Sequence, residues 1–530
     1  MTDITEDLRN AKLCQIILCD IINSGSSGDM MTKQKIDIKN VVFLTILFLI
    51  IIYGCILRTY VWFHHSYFFG DEILLFKNIY EKNYLELFGP LNYCQCCPPI
   101  FLICGKIIYS IFGYNERLLS TVNFSAGILS ILLFPLLSFK VFKQKISILS
   151  SVFLFTYAEE FINYSMFFKQ YSFDVLFSII VLFAVFSIKD KKLSNSQIFF
   201  LSLFCIFCVF CSYTAGFLIF LNSLFFIFKS FKEKTIKQNL KPFLIFIIPF
   251  ASVMVWFFFV NCLPTLHNEL LRRFWNDFST FTFFYPQNIE QIKLMISFVL
   301  KCDFYNINLF LYLFFMLSSL VSFYYLLKNN KFALYILVSP FILALILGIF
   351  QLYPFSADRT SLYLIPVIIL FIAFSFENIN NYTNYFNKYI IKNILLTSNL
   401  TICFFIFIFC FYIIMFNFEK NYNWFPNNKE LVNLLYKSDI DYNKDYILYE
   451  VAHLTNYDYK KVLKEKNMFC YYEQEAFPKL KKGSNLYFFD AGLKTEEADY
   501  LRNWLNKNCK KIYDITGINY KLIKYEKISD

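Results

Sequence analysis

Apolar runs long enough to cross a bilayer recur along the first 416 positions, separated by short polar loops, and then stop. A transmembrane helix needs about 20 predominantly apolar residues. That rule predicts spans over 41–57, 117–138, 146–164, 172–188, 242–261, 307–327, 332–351, 360–376 and 394–416. Residues 198–228 are mostly apolar but are broken by Ser212-Tyr-Thr-Ala-Gly216, the pattern of a tight helical hairpin; its two arms bring the count to about 11. Segment 99–113 stands apart because it is short and carries Gly105 and Lys106 at its centre. A central Lys costs a spanning helix about 2.5–3.5 kcal/mol. An interfacial helix lets Lys106 reach water while the apolar face rests in the headgroup boundary, so 99–113 reads as interfacial.

Loop charge tests that choice. With 99–113 not crossing, loops 139–145, 189–197, 229–241, 328–331 and 377–393 share one side and hold 15 Lys in 50 residues. The opposite segments 58–116, 165–171, 212–216, 262–306 and 352–359 hold 10 Lys plus Arg in 124 residues. Cytoplasmic loops carry the excess of basic residues. The expectation is therefore a multi-pass protein of the plasma or inner membrane, with its N-terminus cytoplasmic and its C-terminal part extracytoplasmic.

Beyond residue 416 the pattern changes. Polar residues rise, and the periodicity predicts a helix near 427–438, strands near 445–450 and 485–490, a helix near 495–508, and strands near 511–515 and 519–525. About 114 residues suffice for a small α/β domain. At the other end, residues 1–40 lack a long apolar run and resemble no signal or transit peptide. Met30-Met31 reads as a plausible start, the preceding stretch otherwise being a disordered cytoplasmic tail. The organisation is thus a tail over 1–40, a transmembrane domain over 41–416 whose outer loop 58–116 carries interfacial helices, and an extracytoplasmic α/β domain over 417–530.

Composition agrees: 57% of the 530 residues are hydrophobic and 17% charged, against about 45–50% and 25% in soluble domains. The net charge of +11 lies largely in the loops that set orientation, which argues against a nucleic-acid partner. Many of the 16 Cys, such as Cys205, Cys208 and Cys211, sit inside apolar runs as small hydrophobes. Cys94, Cys96 and Cys97 cluster without a matching second half, a weak zinc pattern. Cys470 and Cys509 are a possible pair in an extracytoplasmic domain.

Candidate chemistry gathers on the Lys-poor side. The first loop holds Asp71-Glu72, 14 residues past the first span, and Pro98-Pro99. The second holds Lys169 and leads into Asp174; the third holds His267, Glu269, Arg272 and Arg273; the fourth holds Arg359. A hydroxyl is a poor nucleophile until a positioned carboxylate takes its proton. A leaving lipid phosphate needs Arg or Lys to stabilise its charge. Asp71 is placed to be such a base, and Lys169 and Arg359 to hold a phosphate. Against this stands the ordinary reading, in which loop acids are solvated and terminal Arg residues anchor helices.

The motifs Asp71-Glu72, Cys97-Pro-Pro-Ile-Phe, Phe112-Gly-Tyr-Asn-Glu-Arg117, Tyr164-Ser-x-x-Phe-Lys-Gln-Tyr-Ser-Phe-Asp174 and Tyr353-Pro-Phe-x-x-x-Arg359 occur in this order. In that order they resemble the GT-C membrane glycosyltransferases, specifically the group of protein O-mannosyltransferases and lipid A aminoarabinose transferases, over about residues 41–376. The resemblance implies a hexosyl- or pentosyltransferase that moves a sugar from a polyprenyl-phosphate donor, with inversion, to a hydroxyl or similar group of a lipid, polysaccharide or protein acceptor. It implies Asp71 as the base, Glu72 as its support, Lys169 and Arg359 beside the donor phosphate, and Asp174 as a second acid. Relatives read Glu where this chain has Phe167, so Glu159 and Glu160 are possible substitutes. Cofactor use is open: related folds differ over a divalent cation, and His267 with Glu81 or Glu86 is one conceivable metal pair. Two other classes compete. A lipid-linked glycan transporter or flippase would place ionisable groups along its helices, and a non-catalytic subunit of an envelope-glycan assembly complex would tolerate Phe167.

Overall fold

The structure, a computed structural model, describes residues 38–64, 70–233, 235–268, 309–355, 359–377, 446–449, 468–470, 482–490, 496–516 and 521–528, with Phe68 and Leu271 as isolated positions. The expected span 394–416, the helix near 427–438, residues Glu269, Arg272 and Arg273, and nearly all of the tail lie outside the described residues.

The helices are α1 (Ile38–His64), α2 (Gly70–Glu81), α3 (Pro99–Phe112), α4 (Glu116–Val141), α5 (Lys145–Thr156), α6 (Glu159–Tyr164), α7 (Tyr171–Ile188), α8 (Asn195–Cys211), α9 (Tyr213–Lys232), α10 (Ile236–Phe257), α11 (Leu309–Asn329), α12 (Lys331–Ile349), α13 (Ile365–Glu377) and α14 (Glu496–Asn508). Among the described residues seven helical stretches are long and apolar enough to cross a membrane: 40–63, 116–141, 171–188, 213–232, 239–266, 331–349 and 359–377. The chain is a mostly helical polytopic membrane protein with a small C-terminal sheet.

One predicted span resolves differently. The stretch 146–164 is not one helix: α5 ends at Thr156 and α6 begins at Glu159. The buried Arg58 of α1 donates through Nη1 to the Thr156 carbonyl at 3.0 Å and stacks over Phe161 at 4.4 Å. A guanidinium on the last carbonyls closes a helix from the C-terminal side, so a residue from the first span fixes the break in the third. The hairpin over 198–228 forms as expected, turning at Ser212, whose extended backbone and side-chain bond to the Ala215 amide cap α9. Its first arm, α8, has 17 residues.

Segment 99–113 becomes the 14-residue helix α3, started by Pro98 and Pro99. At 1.5 Å per residue it is about 21 Å long, short of a hydrocarbon core of about 30 Å. Lys106 does not simply reach water. Its Nζ donates to the carbonyls of Ile79 at 2.7 Å and Lys82 at 2.6 Å, capping the end of α2.

α4 and α7 pack along each other, α13 lies against α5 and α11, and α10 lies against α8. Under α2 and α3 sits a tight aromatic core with Phe68, Phe76, Phe101 and Phe168 fully buried. Gly105 is required there, because a Cβ would stand 2.7 Å from the Phe168 ring and 2.9 Å from Ile79.

The C-terminal part forms a five-stranded sheet of order β2-β1-β3-β5-β4, from β1 (Tyr446–Tyr449), β2 (Met468–Cys470), β3 (Asn485–Asp490), β4 (Cys509–Thr516) and β5 (Lys521–Lys527). β1 pairs parallel with β2 and β3, whereas β5 runs antiparallel to both β3 and β4. Leu486, Phe488 and Ile523 of the sheet bury against Leu501 and Leu505 of α14. The notion of a Cys470–Cys509 pair fails here. The two residues occupy opposite edge strands, about 19 Å apart at the usual strand spacing of about 4.8 Å, and Cys509 is a free, buried thiol.

Candidate active site

Asp71 and Glu72 lie in the first turn of α2, where carboxylates suit the positive end of the helix dipole. The entry to this helix is held from two sides. The Phe68 amide donates to Glu116 at 3.1 Å, and the Phe68 ring stacks on Phe168 at 5.3 Å with the planes only 5° apart. Glu116 is also bonded by the Tyr114 hydroxyl, and Arg117 donates to the Phe63 carbonyl at 3.1 Å. The Gly-Tyr-Asn-Glu-Arg motif is thus a clamp on the chain leading into Asp71.

The two carboxylates have different surroundings. Glu72 is buried and accepts the backbone N–H of Phe168. That bond ties the first loop to the turn carrying Lys169. Asp71 keeps a third of its side chain exposed and forms a 2.7 Å ion pair with Nη1 of Arg359, which is 16% exposed. Lys169 is buried, and its ammonium donates to Gln95 Oε1. Burial pushes its pKa down, and the Arg359 charge adds to that, while Asp71, Cys97 and Glu72 act in the opposite direction. Asp71, Glu72, Lys169 and Arg359 therefore form one cluster of two acids and two cations, contributed by three separate segments.

Asp174 belongs to the same neighbourhood but has its own partners. In the first turn of α7 it accepts hydrogen bonds from the Ser212 hydroxyl at 2.5 Å and the Thr214 hydroxyl at 3.2 Å. Burial, and next the Asp174 charge, pushes the Tyr353 phenol well above its usual pKa. Tyr353 donates to the Thr360 carbonyl at 3.1 Å, holding the turn that delivers Arg359. A second tether joins the Tyr213 hydroxyl to the Cys97 carbonyl at 2.9 Å. Asn261 completes it by donating to the carbonyls of Phe88 and Gly89 at 3.1 and 2.8 Å. Asn261 lies in a π-helical turn, Phe258–Cys262, and such bulges turn a side chain out of the regular helical register.

Several sequence expectations fall outside this cluster. Glu160 lies in the first turn of α6, at the break behind the loop; the side chain of Glu159 lies outside the described residues. Phe167 is buried and packs on Tyr164. His267 contacts the Leu263 carbonyl, Glu81 accepts from the Tyr93 hydroxyl, and Glu86 accepts from the Asn83 amide, so each is engaged locally. Among the described residues no three His, Cys, Asp or Glu side chains converge as a metal site would need. Burial raises the Cys97 thiol pKa well above its usual value. Sequence reading passed over Gln95, Glu116, Ser212, Thr214 and Asn261, which are ordinary polar residues in loops or at helix ends. Glu116 stood inside the Gly-Tyr-Asn-Glu-Arg motif, and Ser212 and Thr214 inside the hairpin turn, without a role assigned to them.

No family model and no curated protein matches the chain. Among solved structures it is similar to the archaeal oligosaccharyltransferase AglB from Archaeoglobus fulgidus in complex with an inhibitory peptide and a dolichol-phosphate. That match has a TM-score of 0.50 and 12% identity, and it covers 92% of this chain and 74% of that one. It is also similar to ArnT from Cupriavidus metallidurans in the apo state, with a TM-score of 0.48 and 9% identity, covering 92% of this chain and 97% of that one. At such identities the AglB match speaks for architecture alone, and that architecture agrees with the helices described above. The chain has a GT-C-like polytopic membrane fold.

Proposed function

We propose that the chain is a membrane glycosyltransferase that moves a sugar from a polyprenyl-phosphate donor to an acceptor hydroxyl at the Lys-poor face of the membrane, with inversion. The observation that carries this reading is the convergence of Asp71, Arg359 and Lys169 beside the Glu72-anchored turn. AglB, with the same architecture, was solved with a dolichol-phosphate and a peptide, which supports a lipid phosphate and an acceptor as partners here.

In this mechanism Asp71, the more exposed acid, takes the acceptor hydroxyl proton as the oxygen attacks the anomeric carbon from the face opposite the phosphate. The bond between the anomeric carbon and the phosphate oxygen breaks, and its electron pair leaves with the polyprenyl phosphate. Arg359 and Lys169 stabilise that developing charge. Lys169 is suited to the role because it is buried and its charge is worth more at low dielectric. Glu72 works as a positioning residue, holding the Phe168 amide so that Lys169 follows it into the site. Asp174, with two hydroxyl donors, is a second acid orienting acceptor or donor sugar. In this reading the Lys-rich loops face the cytoplasm, and the C-terminal sheet lies on the same side of the membrane as the site.

The test is sugar transfer from a lipid-linked donor in proteoliposomes. Asp71→Asn is expected to lower kcat by about 100-fold or more, the usual span for losing a general base, with the thermal midpoint retained. An Asp71→Asn protein that transfers sugar at the normal rate would remove Asp71 from the chemistry.

A further inference from the structure

A second chamber opens at the other end of α7. Its walls come from the C-terminal ends of α7 and α9 and the N-terminal end of α12, and it encloses about 1100 Å³. Small-molecule pockets usually span about 300–1,000 Å³, so this one is large enough for a headgroup with chain attached. α7 has 18 residues, about 27 Å at 1.5 Å each, so the chamber is well removed from Lys169 and Asp71.

Its lining has two chemistries. The body is aromatic: Phe225 meets Phe332 edge-on at 5.1 Å and Tyr335 at 5.1 Å, while Phe228 is 69% exposed. The only described polar tip in that wall, the Tyr335 hydroxyl, is already donated to the Leu221 carbonyl at 3.0 Å. The mouth carries Lys189, Lys229, Lys232 and Lys331 against Asp190 and Glu233. Lys189 lies 3.8 Å from Asp190 and leans over the Phe332 ring at 5.6 Å. Among the described residues Lys229, Lys232 and Lys331 form no ion pair. All four lysines belong to loops of the Lys-rich side, where the helices end and headgroups lie.

An aqueous anion would leave the phenyl wall wet, and a neutral lipid would leave the lysines uncompensated. A ligand with one negative phosphodiester and two acyl chains satisfies both, in the manner of basic pockets between transmembrane helices. We propose that this chamber binds an anionic phospholipid, its phosphate held by Lys229, Lys232 and Lys331 and an acyl chain lying against Phe225, Phe228 and Phe332. The proposal does not rest on the sugar-transfer reading.

The test uses the full-length protein in detergent, supplied with phosphatidylglycerol or with phosphatidylcholine of the same acyl chains. Native mass spectrometry should show phosphatidylglycerol retained at least tenfold more strongly, with a thermal midpoint raised by several degrees. Lys229→Gln/Lys232→Gln/Lys331→Gln should lose that preference, whereas Lys140→Gln/Lys143→Gln, in a Lys-rich loop that does not line the chamber, should keep it. Equal retention of the two lipids by the unaltered protein would overturn the proposal without recourse to any variant. So would equal protection by inorganic phosphate, or full preference in the triple variant.

Discussion

At the scale of single residues, the notable contrast is between two neighbouring carboxylates. Asp71 and Glu72 are indistinguishable in sequence, yet one faces an arginine and partial solvent while the other is sealed against a backbone amide. Being next to each other on a helix, they point about 100° apart, so burial of one leaves the other at the rim. Lys169 carries a prediction of its own. Its pKa is lowered, chiefly by burial, from the ordinary 10.5. The ammonium therefore loses its proton at a pH below 10.5, and with it the charge proposed to hold the donor phosphate. The donor KM should rise along an alkaline limb that begins below that value. Lys169→Arg, whose guanidinium keeps its proton, should flatten the limb while changing the absolute KM. A limb of the same midpoint in the arginine variant would assign it to another group.

At the scale of elements, short helices do the positioning and long ones supply the frame. α2 and α3 form a pair in which Lys106 of one closes the end of the other, and Gly105 lets Phe168 approach. Gly105→Ala should therefore act at a distance. The added methyl would overlap the Phe168 ring, and overpacking of this kind costs about 1–3 kcal/mol. Because the Phe168 amide is the group Glu72 accepts, the shift should also raise the donor KM more than a surface Gly→Ala change would. The check is a thermal midpoint measured beside donor titration; no change in either would mean that the ring can move aside freely. The break between α5 and α6 was illegible for a clear reason. Residues 146–164 are mostly apolar apart from Glu159-Glu160, and the donor on the Thr156 carbonyl that ends α5 comes from Arg58, about a hundred positions away.

At the scale of the whole molecule, the described loops fall into the two sets that the charge pattern separates. Segments from the Lys-poor set meet each other through Asp71–Arg359, Glu72–Phe168, Tyr213–Cys97 and Asn261–Gly89. Those of the Lys-rich set meet through Glu377, which accepts from the amides of Lys143 and Gln144, and around the lysine-mouthed chamber. Strands near 445–450 and 485–490 and the helix near 495–508 form close to where alternation placed them. Strand order was not readable, and it decides the fate of the cysteines. With Cys470 and Cys509 on opposite edges of the sheet, Cys509→Ser should leave mobility on non-reducing gels unchanged, and Cys509 should react with a maleimide once unfolded. A mobility shift abolished by Cys509→Ser would contradict the sheet order.

By itself the sequence determined which stretches are apolar enough to leave water, which loops share a side, and which acids and cations lie at their ends. Those properties are local, set by runs of about 20 residues and by the charges beside them. Tertiary structure decided which acid is buried, that Lys169 and Arg359 meet at Asp71, that Glu116 and Asn261 brace the site, and that lysines at the ends of three helices ring one chamber. Each of these depends on contacts between segments far apart in the chain, and side-chain burial exists only once those segments have packed.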